Sequence, residues 1–177
     1  TLFFVFMPSL LHRTTGGVPE KEAAGIMFVF LALYLFVCAL QSKDKKNAFI
    51  IGLTSGLATS LLNITWGGVN FVLLSVEISM LAYFFVGSIS KKEFLAYAGW
   101  IAAFTLFSGF IPFTATRSGY ITGLLTSTIT QIAYFVFFVI CIDMFVTPRI
   151  YQKKPIKMPR MAFSLLISFI TAFLLLA

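Results

Sequence analysis

The chain has 177 residues, 59% of them hydrophobic and 11% charged, with a mean hydropathy of +0.98. This lies far from soluble domains, in which about a quarter of residues carry charge. Its net charge of +7 sits on alternate short connections between apolar runs, which points away from a nucleic-acid partner. The two cysteines, Cys38 and Cys141, fall inside apolar runs and are too few for a disulfide framework.

The apolar runs are continuous, not alternating, so they predict helices and not the strands of a membrane barrel. A hydrocarbon core of roughly 30 Å needs about 20 helical residues. On that basis the expected fold is all-α: a polytopic transmembrane helical bundle with a truncated span at 1–11 and about six full spans near 23–41, 48–65, 69–88, 94–112, 120–146 and 160–177. Residues 1–177 read as a single transmembrane domain. No initiator methionine or basic leader precedes the first apolar run, and Ala177 closes an apolar run, so the expectation is an internal piece of a longer protein.

The connections 12–22, 42–47, 65–69, 88–93, 112–119 and 147–159 must alternate sides. One set carries Lys43, Lys45, Lys46, Lys91, Lys92, Arg149, Lys153, Lys154, Lys157 and Arg160, whereas the other holds only Arg13, Lys21 and Arg117. The positive-inside rule therefore predicts that loops 42–47, 88–93 and 147–159 are cytoplasmic and that 12–22 is external.

Within the 48–65 run, Gly52, Ser55, Gly56, Thr59, Ser60 and Asn63 recur at three- and four-residue spacing, a stripe that lets a neighbouring helix approach closely. Glu77 is a charge inside an apolar span and so a candidate for function, the competing reading being a protonated or hydrogen-bonded glutamate facing the bundle. Thr122, Thr126 and Thr130, with Ser127 and Gln131, form a second polar stripe that could line a cavity or simply pack. Asp143 reads as an interface residue, Trp66 as a belt or packing residue and Trp100 as packing. The sequon Asn63-Ile64-Thr65 lies at a helix end against the membrane, a poor place for glycosylation.

Polar chemistry is concentrated between the first two runs, in HRTTGGVPEKEAAG, residues 12–25. Pro19 at a first helical position and acids in the first turn, complementing the helix dipole, account for much of it. A metal site is the competing reading: Glu20 and Glu22 offer hard oxygens suited to Mg²⁺ or Mn²⁺, and Arg13 suits phosphate or a carboxylate. His12 alone adds little. In extended backbone residues 20 and 22 project to one side, whereas in a helix they stand about 200° apart, so ligation by both requires the helix to begin after Glu20. Two carboxylates do not complete a six-coordinate ion, so further ligands must come from elsewhere.

RTTGGVPEKEAAGI resembles the second acidic motif of oligosaccharyltransferase catalytic subunits, in which an arginine and threonine, a glycine pair and an acid-x-acid sequence precede a helix. ITWGGVNFVLLSVE resembles that family's Trp-Gly-Gly segment, and KKEFLAYAGWIAAF and SGYITGLLTSTITQIAYFVFF are most similar to its archaeal members. The chain departs from the pattern in having glutamate where the first acid is usually aspartate.

The resemblance implies a metal-dependent membrane glycosyltransferase that moves an oligosaccharide from a polyprenyl phosphate or pyrophosphate to the asparagine of Asn-x-Ser/Thr. It implies Glu20 as a metal ligand, Glu22 as ligand or organiser, and Arg13 as their electrostatic partner, with Mn²⁺ or Mg²⁺ as Lewis acid. Arg117, on the same expected side, could meet lipid phosphate. The family's other acidic motif would precede residue 1, and its soluble domain would follow residue 177, so this piece alone is expected to be inactive. A transporter or channel segment, or a noncatalytic scaffold, is the alternative; no inverted repeat supports the former.

Overall fold

The computed structural model describes residues 21–87, 89–110, 127–153 and 159–176, and every described element is helical. In chain order these are α1 (Lys21–Gln41), α2 (Lys45–Thr65), α3 (Val69–Phe85), α4 (Lys91–Phe110), α5 (Thr128–Cys141), a π-helical turn at Ile142–Val146, α6 (Thr147–Lys153) and α7 (Arg160–Leu176). The expected spans are recovered to within a few residues wherever both ends are described. By length and apolarity, three described segments can cross a membrane: Glu22–Gln41, Lys45–Thr65 and Thr128–Tyr151. The expected six full spans are thus not all met by these measures, because α3 and α7 have 17 residues each and α4 opens on Lys91, Lys92 and Glu93.

α2 lies against both α1 and α4, and its small residues explain how. A methyl group on Gly52 would collide with the carbonyl oxygen of Ala96, one on Gly56 with that of Trp100, and one on Gly99 would lie 2.6 Å from the carbonyl oxygen of Phe49. The helices approach backbone to backbone, as a small-residue stripe allows. Hydroxyls on the same stripe bond across the interfaces. Ser55 Oγ donates to the Ala32 carbonyl of α1 at 2.7 Å, and Trp100 Nε1 of α4 donates to Thr59 Oγ1 at 3.0 Å.

The centre of the bundle is aromatic. Tyr97, Trp100 and Phe104 stack successively along α4, with centroids 5.5 Å and 6.0 Å apart, and Phe36 of α1 meets Tyr97 and Trp100 edge-on. Trp100 is fully buried, as its position within the span predicts. The Tyr97 hydroxyl donates to the Ala133 carbonyl at 2.9 Å and so ties α4 to α5. Buried polar groups at such depth need partners, and these side chains provide them. Cys38 and Cys141 are free thiols, half-buried among the helices.

Two expected boundaries need correction. The 120–146 span continues as helix to Lys153, so 147–153 is not loop. Pro148 interrupts the hydrogen-bond ladder because it has no N–H, and the chain accommodates it by widening into a π turn immediately before. Thr147 Oγ1 then donates to the Ile142 carbonyl at 3.1 Å. Thr147 also meets Ser164 of α7, whose hydroxyl donates to Asp143 Oδ1 at 2.8 Å. Asp143 is therefore part of an interhelical polar cluster. The 69–88 span ends earlier than expected, at Phe85, because Gly87 turns left-handed with φ +71°.

Candidate functional site

The basic connections gather at one end of the bundle. Lys92 Nζ donates to the Ser42 carbonyl at 3.5 Å, so the turn before α2 and the start of α4 touch. Phe94 stacks on Phe137 and meets Phe145 edge-on, centroid distance 5.6 Å, which brings the lower part of α5 and its π turn to the same end. Among the described residues, the lysines of the 42–47 and 88–93 connections thus share one end of the bundle.

α4 begins there with a motif that the sequence reading did not single out. Ser90, Lys91, Lys92 and Glu93 form a capping box: the Ser90 N–H donates to Glu93 Oε2 at 2.9 Å, the Ser90 hydroxyl donates to the same oxygen, and the Lys92 N–H reaches Ser90 Oγ at 3.4 Å. The spacing Ser-x-x-Glu was its signal. Burial pushes the Glu93 carboxyl upward, but hydrogen bonds from Ser90, together with Lys92 at 3.3 Å, outweigh this and hold it below the ordinary range.

The opposite end of α1 carries the acidic stretch. Glu22 is half-buried in the first turn of α1, where a carboxylate complements the positive end of the helix dipole. The sequence put it at the boundary of the 12–22 connection, as either a first-turn acid or a metal ligand, and it lies in the first turn. Glu20, Arg13 and Arg117 lie outside the described residues, as do His12, Thr122 and Thr126.

Three residues after Glu22, and hence on the same face of α1, Gly25 faces Trp66. A methyl group on Gly25 would stand 2.7 Å from Trp66 Cβ and 3.1 Å from Cγ. On its other side the indole lies over Gly68, which likewise has no room for a side chain. The chain arrives there because α2 stops at Trp66, whose backbone is extended at φ −152° with its N–H on the Leu62 carbonyl at 2.8 Å. α3 then starts directly after Gly68. An acidic helix start and a Trp-Gly-Gly turn, distant in sequence, form one corner.

A divalent ion is held only where enough oxygen donors converge. Among the described residues no group of three or more His, Cys, Asp or Glu side chains comes together. Of the expected ligands, Glu22 is described, and it stands in this corner. One half-buried carboxylate suits a hard cation in chemistry but not in number, so an ion here requires Glu20 and oxygens from further segments.

Glu77 is not brought to this corner. It is 1% exposed on the inner face of α3, about 12 Å along the helix from its start. Neither carboxylate oxygen has a hydrogen-bond partner among the described residues. Glu77 interacts electrostatically with the buried Tyr97 hydroxyl. Of the second polar stripe, Thr130 is buried and Gln131 exposed, so those two do not share a lining. In the sequon, the Thr65 hydroxyl bonds back to the Leu61 and Leu62 carbonyls.

No family model and no solved structure matches this chain. Among curated proteins it is 24% identical over 155 residues to the STT3A subunit of dolichyl-diphosphooligosaccharide–protein glycosyltransferase from Oryza sativa subsp. japonica, covering 88% of this chain and 18% of that protein. It is also 24% identical over 111 residues to the stt-3 subunit of the Caenorhabditis elegans glycosyltransferase, covering 63% of this chain and 14% of that protein. The chain spans less than a fifth of the length of either relative. These similarities support a relationship with the oligosaccharyltransferase family and, with the apolar helices, an integral membrane protein.

Proposed function

We propose that the chain is part of the membrane domain of an archaeal-type oligosaccharyltransferase, and that its Glu22 corner helps to build the metal and phosphate site of that enzyme. The observation that carries this reading is the similarity to the STT3A subunit across 88% of the chain. The packing of Gly25 on Trp66 supports it, because it joins the two segments that resemble family motifs.

In this reading all six expected spans cross the bilayer, the plasma membrane in an archaeon. The Glu22 corner faces outward and the lysine-rich end inward, an orientation supported by the gathering of the bases at one end. Glu20 and Glu22 would hold Mn²⁺ or Mg²⁺ together with acids from other loops. Arg13 would neutralise or orient the carboxylates, and Arg117 would meet the phosphate of the lipid carrier. When bound, the ion supplies Lewis-acid stabilisation of the departing phosphate. The chain's own part is to fix where Glu22 points. The Trp66 ring, held between two glycines, sets the start of α1 against the turn into α3, so that the carboxylate is presented from a rigid element.

The test is glycopeptide formation by the complete protein from a polyprenyl-linked oligosaccharide and an Asn-x-Ser/Thr peptide. Transfer that stops on chelation with EDTA and returns with Mn²⁺ or Mg²⁺ is the expected result. A complete protein that binds the lipid-linked sugar yet forms no glycopeptide under either condition contradicts the reading and favours a transporter or scaffold.

A further inference from the structure

We propose that the surface formed by the Ser42–Lys46 turn and the start of α4 binds the phosphate of an anionic phospholipid from the surrounding bilayer, through Lys43, Lys45, Lys46 and Lys91. All four lysines are exposed. None makes an ion pair with a described residue, and both acids nearby are engaged. Asp44 Oδ2 accepts from Asn47 Nδ2 at 3.4 Å, and Glu93 is taken up by Ser90 and by Lys92. The Lys92–Ser42 hydrogen bond braces the two strips against each other, so the ammonium groups share one surface instead of trailing on separate loops. Four like charges held together repel, and an anion shared between them relieves that repulsion.

The adjoining surface identifies the kind of anion. Phe49 and Ile50 of α2 are exposed by 36% and 45%, one turn beyond Lys45 and Lys46, roughly 6–7 Å along the helix. A phosphate beside an apolar strip is the chemistry of a phospholipid: headgroup on the amines, acyl chain along Phe49 and Ile50. Because α2 is long and apolar enough to cross a membrane, this strip lies where acyl chains run, directly beside the amines.

The complete protein should be exchanged from nanodiscs containing equal parts phosphatidylcholine and phosphatidylglycerol, and the lipids it retains counted by native mass spectrometry. Preferential retention of phosphatidylglycerol is expected. Each basic group near an anionic surface is worth about fivefold in affinity, so the triple variant Lys43→Gln, Lys45→Gln, Lys46→Gln should lower that preference by at least about tenfold. The matching triple Lys→Arg variant should keep it, because charge is conserved. Melting by circular dichroism verifies that both variants are folded, as exposed positions predict. Equal retention of the two lipids by the parent, or an unchanged preference in the glutamine variant, overturns the proposal. Displacement of the lipid by millimolar inorganic phosphate overturns it in favour of a free-anion site, and displacement by polyglutamate in favour of an acidic protein partner.

Discussion

Gly25 of α1 lies directly on Trp66 at the end of α2, with 2.7 Å between Trp66 Cβ and the place a methyl group would occupy. A real side chain there must push the indole off its seat over Gly68 or lift the start of α1 away. Gly25→Val is therefore expected to lower stability by about 1–3 kcal/mol, the usual cost of overpacking. It should also reduce transfer in the complete enzyme. Gly56→Ala, which collides with the Trp100 backbone in the middle of the bundle, serves as the comparison for stability loss away from the corner. If the two variants, assayed at equal folded fraction, lose the same activity, the corner does not position the site.

At the other end, Ser90→Ala removes the hydroxyl that caps α4 and should cost about 0.5–2 kcal/mol. A pH dependence follows from Glu93. Its folded value is lowered, so its contribution is fully present above the unfolded value of about 4.3 and is lost as pH falls through the folded value. Melting temperature between pH 7 and pH 3 should fall less steeply in Glu93→Gln than in the parent. Parallel curves would show that the carboxylate contributes nothing.

What could be read in the sequence follows from which forces act locally. The Gly52–Ser60 stripe and the buried Trp100 were legible because helical periodicity and burial in lipid leave few other uses for them. The run through Pro148 was not, since a proline signals a break, whereas here a π turn, in which both the N–H and the hydroxyl of Thr147 bond the Ile142 carbonyl, precedes it and the helix continues. Glu22 was legible as a first-turn acid because a carboxylate complements the dipole at a helix start, and α1 begins at Lys21 as that reading requires. The contact of Gly25 with Trp66 joins positions 41 residues apart through tertiary packing, which no local pattern encodes.

Glu77 is buried with both oxygens unpartnered among the described residues, a cost and not a gain for the fold. Glu77→Met keeps the volume and removes the polar atoms, so it should leave the protein as stable or raise stability by about 1–3 kcal/mol. Thermal unfolding in detergent checks this. A loss of more than about 2 kcal/mol would mean that the carboxyl holds a group essential to the bundle.

The central claim, that the acidic start of α1 belongs to a divalent-metal site for oligosaccharide transfer, is tested most directly by titrating glycopeptide formation against Mn²⁺ in the complete parent enzyme and in its Glu20→Gln and Glu22→Gln variants. Both variants keep side-chain size and lose the charge that holds a hard cation. Losing a ligand, or the group that orients one, should shift the Mn²⁺ requirement upward or lower activity by roughly ten- to a hundredfold, with partial rescue at high Mn²⁺. Glu20→Gln should show the larger effect, and Glu22→Gln an equal or milder one according to whether it ligates or organises. Three superimposable curves, with only a small loss of stability from the weakened helix start, would contradict the account.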